Sequence, residues 1–200
     1  MNRIASIPDL EALYPEAVPA ALVKVSPVLT PLYCCWVEAA RFCILSTVGP
    51  EGVHGSPRGD DGPVIRVDGP DRLLLPDWRG NNRLDCLRDI VSDGRCALLF
   101  MIPGTHTTVR VNGRAFLTDD PDLRQSFAKG ERLPATVIVI EISEVYTQCA
   151  KALMRSGLWP RDATLDLPSV GEILADMSQG AQGGAEYDRN YPEYAKTRLW

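Results

Sequence analysis

The sequence predicts a mainly β domain, a closed antiparallel sheet of six strands with flanking helices. Three observations carry this expectation. Apolar runs of strand length recur through the middle of the chain, from FCILSTV (42–48) to TVIVIEI (136–142). Most of the gaps between them carry Gly-Pro or Asp-Gly turn signals, which join neighbouring strands as hairpins. The 200 residues, 45% hydrophobic and 24% charged, suffice for one sizeable core and have the usual balance of a globular chain.

Taken in order, the first ~35 residues read as proline-punctuated helical pieces, Ile7–Tyr14 and Glu16–Lys24. A helix over Pro31–Arg41 leads into the first strand, Phe42–Val48, and Gly49-Pro50-Glu51-Gly52 turns it into a second that carries Ser56-Pro57-Arg58-Gly59. Val67-Asp68-Gly69-Pro70 separates VIRV from RLLL. A helix is expected over Asn81–Val91, with Leu84, Leu87, Ile90 and Val91 at helical spacing, an Asn cap at its head and Gly94 as its stop. Strands Cys96–Ile102, Thr107–Leu117 and Thr136–Glu144 follow, with a turn at Pro103-Gly104 and a short helix near Pro121–Phe127. Lys151–Leu158 reads as a last helix before a tail that contains SQGAQGGAE and ends at Trp200. That tail is too short to fold alone. The expectation is one domain: a helical segment 1–40, a sheet 41–160 and a tail 161–200. FCILSTV and TVIVIEI are apolar at odd and even positions alike, so helices or a second copy of the chain must cover the outer face. A homodimer is expected.

Composition narrows the function. A net charge of −5 argues against broad nucleic-acid or anionic-membrane binding. The start lacks an apolar run of signal length, and CALLFMIP (96–103) is far short of the ~20 residues that cross a bilayer, so a cytoplasmic protein is expected. Its six cysteines form no CxxC pair, and His54 and His106 are the only imidazoles, so no metal site is expected. The dinucleotide, P-loop and nucleophile-elbow glycine patterns do not occur, and no candidate Ser or Cys has a convincing base beside it. An organic cofactor would let such a sheet carry out redox chemistry.

Four segments hold candidate site residues. Ser56 and Arg58 lie two apart on a strand and share a face, where a hydroxyl and a guanidinium can meet one anion or stand solvated in a turn. In Asp77-Trp78-Arg79-Gly80-Asn81-Asn82-Arg83, a cation in the first helical turn opposes the dipole. A phosphate held by Arg79, Asn81, Asn82 and Arg83 would remove that conflict; pairing of the arginines with Asp77 and Asp85 is the other arrangement. In TVRVNGRA, Thr108, Arg110, Asn112 and Arg114 share one face, either a wet strip or part of a ligand cleft. Lys151 and Arg155 share a helical face with Trp159 just beyond, where cations also suit a helix C-terminus.

Taken together, FCILSTV-GPEG-VHGSPRG, LLLPDWRGNNRLDCL, CALLFMIP with VRVNGRAFL, and CAKALMRSGLW resemble the pyridoxamine 5'-phosphate oxidase-like FMN-binding split barrels over Pro31 to Trp159. The resemblance implies a six-stranded antiparallel split β-barrel, a homodimer with FMN at the subunit interface, and oxidoreductase activity on a small-molecule substrate. By the same resemblance, Ser56 and Arg58 meet the ribityl phosphate and ring, Asn82 and Arg83 with Arg79 bind the phosphate, Thr108 and Arg110 lie near the ring, and Lys151 and Trp159 complete the pocket. The chain lacks the Arg-x-x-Leu-Leu-Lys run and the Trp-x-Leu-x-Pro-x-Arg ending of the true oxidases, which argues against vitamin B6 phosphate as substrate. A non-catalytic flavin- or haem-binding barrel, and a deazaflavin in place of FMN, are the alternatives.

Overall fold

A computed structural model of the chain describes residues 1–17, 19–148, 150–159, 175, 180–181 and 183–196. Cys149, Trp200 and most of the expected tail lie outside the described residues. One antiparallel sheet forms the body. Its strands are β1 (Phe42–Gly49), β2 (Gly52–Gly59), β3 (Arg66–Val67), β4 (Arg72–Asp77), β5 (Arg95–Met101), β6 (Thr108–Thr118) and β7 (Thr136–Gln148). Their order across the sheet is β2-β1-β5-β6-β7-β4-β3. The sheet therefore has seven strands rather than six, because VIRV supplies the two-residue β3 against β4. Helices are α1 (Ile7–Glu11), α2 (Pro19–Val23), α3 (Pro31–Ala39), α4 (Asp85–Ser92), α5 (Pro121–Gln125) and α6 (Lys151–Ser156), with a final one at Gly184–Lys196. Among the described residues no helix is long and apolar enough to cross a membrane.

Alternation builds the core on one face of this sheet. Leu45 of β1 lies opposite Leu98 of β5, which lies opposite Val111 of β6, which lies opposite Val145 of β7. All four are essentially buried. A bulge then shifts the phase of β7: Asn112 faces Glu144 while Gly113 faces Ile142. Past it, Ile138 and Ile140 turn inward beside Leu73 and Leu75 of β4. Gly113 permits the bulge, because a Cβ there would lie 2.1 Å from the Glu141 carbonyl oxygen.

The two-sided apolar strands are covered in different ways. On the outer face of β4 and β7, Leu74, Val137 and Val139 pack with Leu123 and Phe127, on and just after α5. The chain itself thus covers TVIVIEI. On β1, Cys43, Leu45 and Thr47 are buried while Ile44 and Ser46 on the other face remain half-buried.

The expected closure by a strand ladder does not occur. β2 and β4 do not hydrogen-bond to each other, and both seam strands carry a proline, Pro57 and Pro76, which has no N–H to donate. The sheet nevertheless curls until these strands face each other, and side chains span the open seam.

Candidate functional site

Arg58 near the end of β2 donates through Nη1 to Asp77 Oδ1 of β4 at 2.5 Å. The two side chains are 18% and 13% exposed, so the pair is only partly wet. Just beyond, Lys129 pairs with Asp60 and Asp61 after β2 and lies 5.5 Å from the centre of the Trp78 ring after β4. These contacts bridge the two lips of a cleft of about 1450 Å³ lined along its length by β2, the 78–84 loop and α4.

Strand register aims three β2 side chains at this cleft. His54, Ser56 and Arg58 lie opposite the inward-facing Thr47, Leu45 and Cys43 of β1, and they alternate with exposed Val53, Gly55 and Pro57. The guanidinium of Arg58 is only half used: its Nε is buried and has no partner among the described residues. Thr136, opposite Asp77 in the β4–β7 ladder, likewise has a buried hydroxyl without a partner among the described residues. Burial pushes the Cys43 thiol up to about 12, so it is a neutral core group at physiological pH.

The helix after this strand starts later than the apolar spacing predicts. α4 begins at Asp85, and Leu84 occupies its cap position in the left-handed region at φ 62°, with no side-chain cap bond. Asn82 is also left-handed at φ 60°. Asn tolerates that region, whereas a leucine there costs about 1–3 kcal/mol and persists only where its surroundings impose it. The Asn side chain expected to cap the helix instead accepts the Arg83 N–H at Asn81 Oδ1, 3.1 Å away, which shapes the loop. Arg83 therefore lies outside the helix, and the dipole conflict argued from sequence does not arise. Its Nε donates to Asp85 Oδ2 at 2.5 Å while the side chain is 76% exposed. Arg79, Asn82 and Arg83 all stand exposed on the cleft wall, on the same cavity as Ser56 and Arg58.

The other four expected site residues lie elsewhere. Thr108 and Arg110 are on the opposite face of the sheet from Arg58, where Arg110 donates to the Tyr146 hydroxyl at 3.2 Å and Thr108 is buried. Next to them Asn112 donates to Glu144 at 2.5 Å. Lys151 begins α6 and is exposed, and the half-buried Trp159 follows that helix with its indole N–H buried and without a partner among the described residues. One chain thus gathers Ser56, Arg58, Arg79, Asn82 and Arg83 at a single cleft and leaves Thr108, Arg110, Lys151 and Trp159 outside it.

Sequence reasoning also missed one feature of the cleft. His54 Nδ1 lies 2.8 Å from Asp89 Oδ2 of α4, and the same oxygen accepts the Thr47 hydroxyl at 2.7 Å. Asp89 is buried at 4% exposure on a helix face shared with Cys86 and Ile90. Hydrogen bonding to His54 and then to Thr47 holds its carboxyl below the usual carboxylate range. The bond to Asp89, with help from the charges of Asp89, Asp85 and Glu51, raises the His54 imidazole above its ordinary value. The available signals were an acidic residue on the apolar face of a helix and a histidine in phase with Ser56 and Arg58.

Fold and site together define a curled antiparallel-sheet protein whose open seam is an arginine-bearing cleft. The sequence pattern of the pyridoxamine 5'-phosphate oxidase family matches residues 29–149, which include every strand and α4, and the chain belongs to that family. None of the curated proteins matches it. Among solved structures, it is similar to a Lactobacillus delbrueckii protein named for pyridoxamine 5'-phosphate oxidase, at 24% identity and TM-score 0.48, over 60% of this chain and 95% of that one. An FMN-binding protein of Syntrophomonas wolfei shares 13% identity at TM-score 0.42, over 58% and 88%. An F420 reductase shares 17% at TM-score 0.42, over 60% and 98%.

Proposed function

We propose that this chain is an FMN-dependent oxidoreductase that acts on a small molecule, with the seam cleft as its flavin site. The observation that carries the reading is the half-engaged guanidinium of Arg58 beside the cleft, whose buried Nε has no partner among the described residues. A buried charged donor left without an acceptor is costly, and a phosphate oxygen is the acceptor that a flavin mononucleotide would bring. The rest of the donor set fits the same group: the Thr136 hydroxyl is also buried and unpartnered, and Ser56, Arg79, Asn82 and Arg83 line the cavity.

Arg58 would hold the phosphate from β2 while Arg79, Asn82 and Arg83 close on it from the loop. Asp77 fixes the guanidinium plane of Arg58 so that its free edge is set before binding. When bound, the flavin would supply a ring that accepts a hydride and passes the electrons on.

The residues outside the cleft are consistent with a homodimer. Arg110, Asn112 and Tyr146 occupy the half-buried outer face beside Ile44 and Leu99. From there a second subunit's Thr108 and Arg110, with Lys151 and Trp159, would complete the pocket across the interface.

The purified protein should be yellow, or become so on addition of FMN, and dithionite should bleach it. A colourless protein that leaves added FMN fluorescence unchanged overturns the reading.

A further inference from the structure

The flavin reading employs Ser56 and Arg58 but leaves idle the histidine that precedes them on the same face of β2. We propose that His54, oriented by Asp89, is the proton acceptor of the cleft, taking through Nε2 the proton that an alcohol or amine substrate gives up on oxidation. This proposal rests on the flavin reading, since the flavin is the hydride acceptor. In that step the substrate carbon loses its C–H electron pair as hydride to the flavin. The neighbouring O–H or N–H bond breaks, its electron pair becomes the second bond of C=O or C=N, and the proton forms an N–H bond at His54 Nε2.

Geometry supplies the argument. An ionised carboxylate only accepts, so Asp89 Oδ2 at 2.8 Å fixes the proton of the neutral ring on Nδ1 and leaves the lone pair on Nε2. Nε2 has no hydrogen-bond partner within the described residues, and the ring lines the cleft with its side chain 26% exposed. Asp89 is itself held. Thr47 donates to it at 2.7 Å, and a Cβ at position 49 would fall 2.1 Å from its Oδ1, so Gly49 makes room for the carboxylate. A histidine that served only to brace α4 would not need its second nitrogen on a cavity wall.

On α4, Asp85, Arg88 and Asp89 lie around His54, with Glu51 on the adjoining turn, Asp93 acting on Asp89, and Arg83 paired to Asp85. The Asp89, Asp85 and Glu51 carboxylates favour the protonated ring and so strengthen the base, whereas the Arg83 and Arg88 cations oppose it. Arg58 stands about 13 Å further along β2, four strand residues away. The imidazole and the Arg58 guanidinium thus stand at separate ends of β2.

Diethyl pyrocarbonate acylates unprotonated imidazole, and the chain has two histidines, so full-length His106→Asn protein reports His54 alone. Its modification rate should rise with pH about a midpoint above the ordinary 6.5. Asp89→Asn should lower that midpoint. If that variant fails to fold, Thr47→Val should raise the midpoint, since the carboxylate then has one donor fewer to share. Saturating FMN should slow modification of His54 severalfold, because the bound ring narrows the approach to Nε2 without closing it to a small substrate. In His54→Asn protein, FMN should leave the rate at His106 unchanged. A midpoint at or below 6.5, or full reactivity in protein that demonstrably binds FMN, overturns the proposal. A protein that binds no FMN refutes the flavin reading first and removes the hydride acceptor, a failure visible in the FMN titration alone.

Discussion

Replacing Arg58 with alanine tests the seam and the flavin site at once, because the same guanidinium joins β2 to β4 and faces the cleft. Truncation leaves Asp77 Oδ1 without the donor that lies 2.5 Å away. Breaking a fully buried ion pair costs about 3–5 kcal/mol. Here the side chains are 18% and 13% exposed, so water recovers part of that cost, and about 1–3 kcal/mol of stability should be lost. Urea unfolding measures that loss. Flavin binding is a separate quantity. A charge-assisted hydrogen bond contributes about 1.5–3 kcal/mol net, so FMN affinity should fall about 10- to 150-fold. Quenching of FMN fluorescence in a titration reads it. Arg58→Lys keeps the charge but loses the planar fork, and it should fall between the two proteins. An Arg58→Ala protein that binds FMN within about twofold of wild type, under about 0.5 kcal/mol, refutes the assignment of the phosphate to this guanidinium.

Arg83→Ala should separate function from folding. Its pair with Asp85 is exposed, so stability should move by no more than about 0.5 kcal/mol, while FMN affinity drops about tenfold; equal affinity would place the phosphate elsewhere. Gly113→Ala should open the β6–β7 bulge, because its Cβ would sit 2.1 Å from a backbone oxygen that cannot step aside. A loss of about 1–3 kcal/mol is expected, with Tm falling about 2–4 °C for each kcal/mol, and an unchanged thermal melt counts against the register. The His54–Asp89 bond sets a pH window for stability. The depressed Asp89 value contributes above 3.8 and is lost as pH falls through the folded value, whereas the raised His54 value contributes below 6.5 and is lost as pH rises through its folded value. The stability difference between wild type and His54→Asn should therefore peak between 3.8 and 6.5, and a difference flat with pH contradicts the bond.

Much of the fold was legible because alternation and turn chemistry are local. FCILSTV-GPEG reads as a strand and a hairpin turn wherever it stands, and the structure pairs β1 with β2 through that turn. Thr108–Ala115 likewise shows its two faces in the sequence, and the structure buries Val109, Val111 and Ala115 on one of them. Ser56 and Arg58 were readable as same-face partners for the same reason. The start of α4 was misplaced because apolar spacing cannot register that Asn82 and Leu84 enter the left-handed region.

The amino-acid order by itself determined which segments are strands, where they turn, and which side chains share a face, since these follow from a two-residue repeat and a few turn residues. Only the tertiary structure decided that β2 and β4, at remote places in the sheet, confront each other across an open seam, and that Asp89 reaches Thr47 and His54. Such meetings depend on how a twisted sheet curls and on which helix packs against it. No spacing along the chain encodes a distance between residues 19 positions apart, such as Arg58 and Asp77, or 35 apart, such as His54 and Asp89.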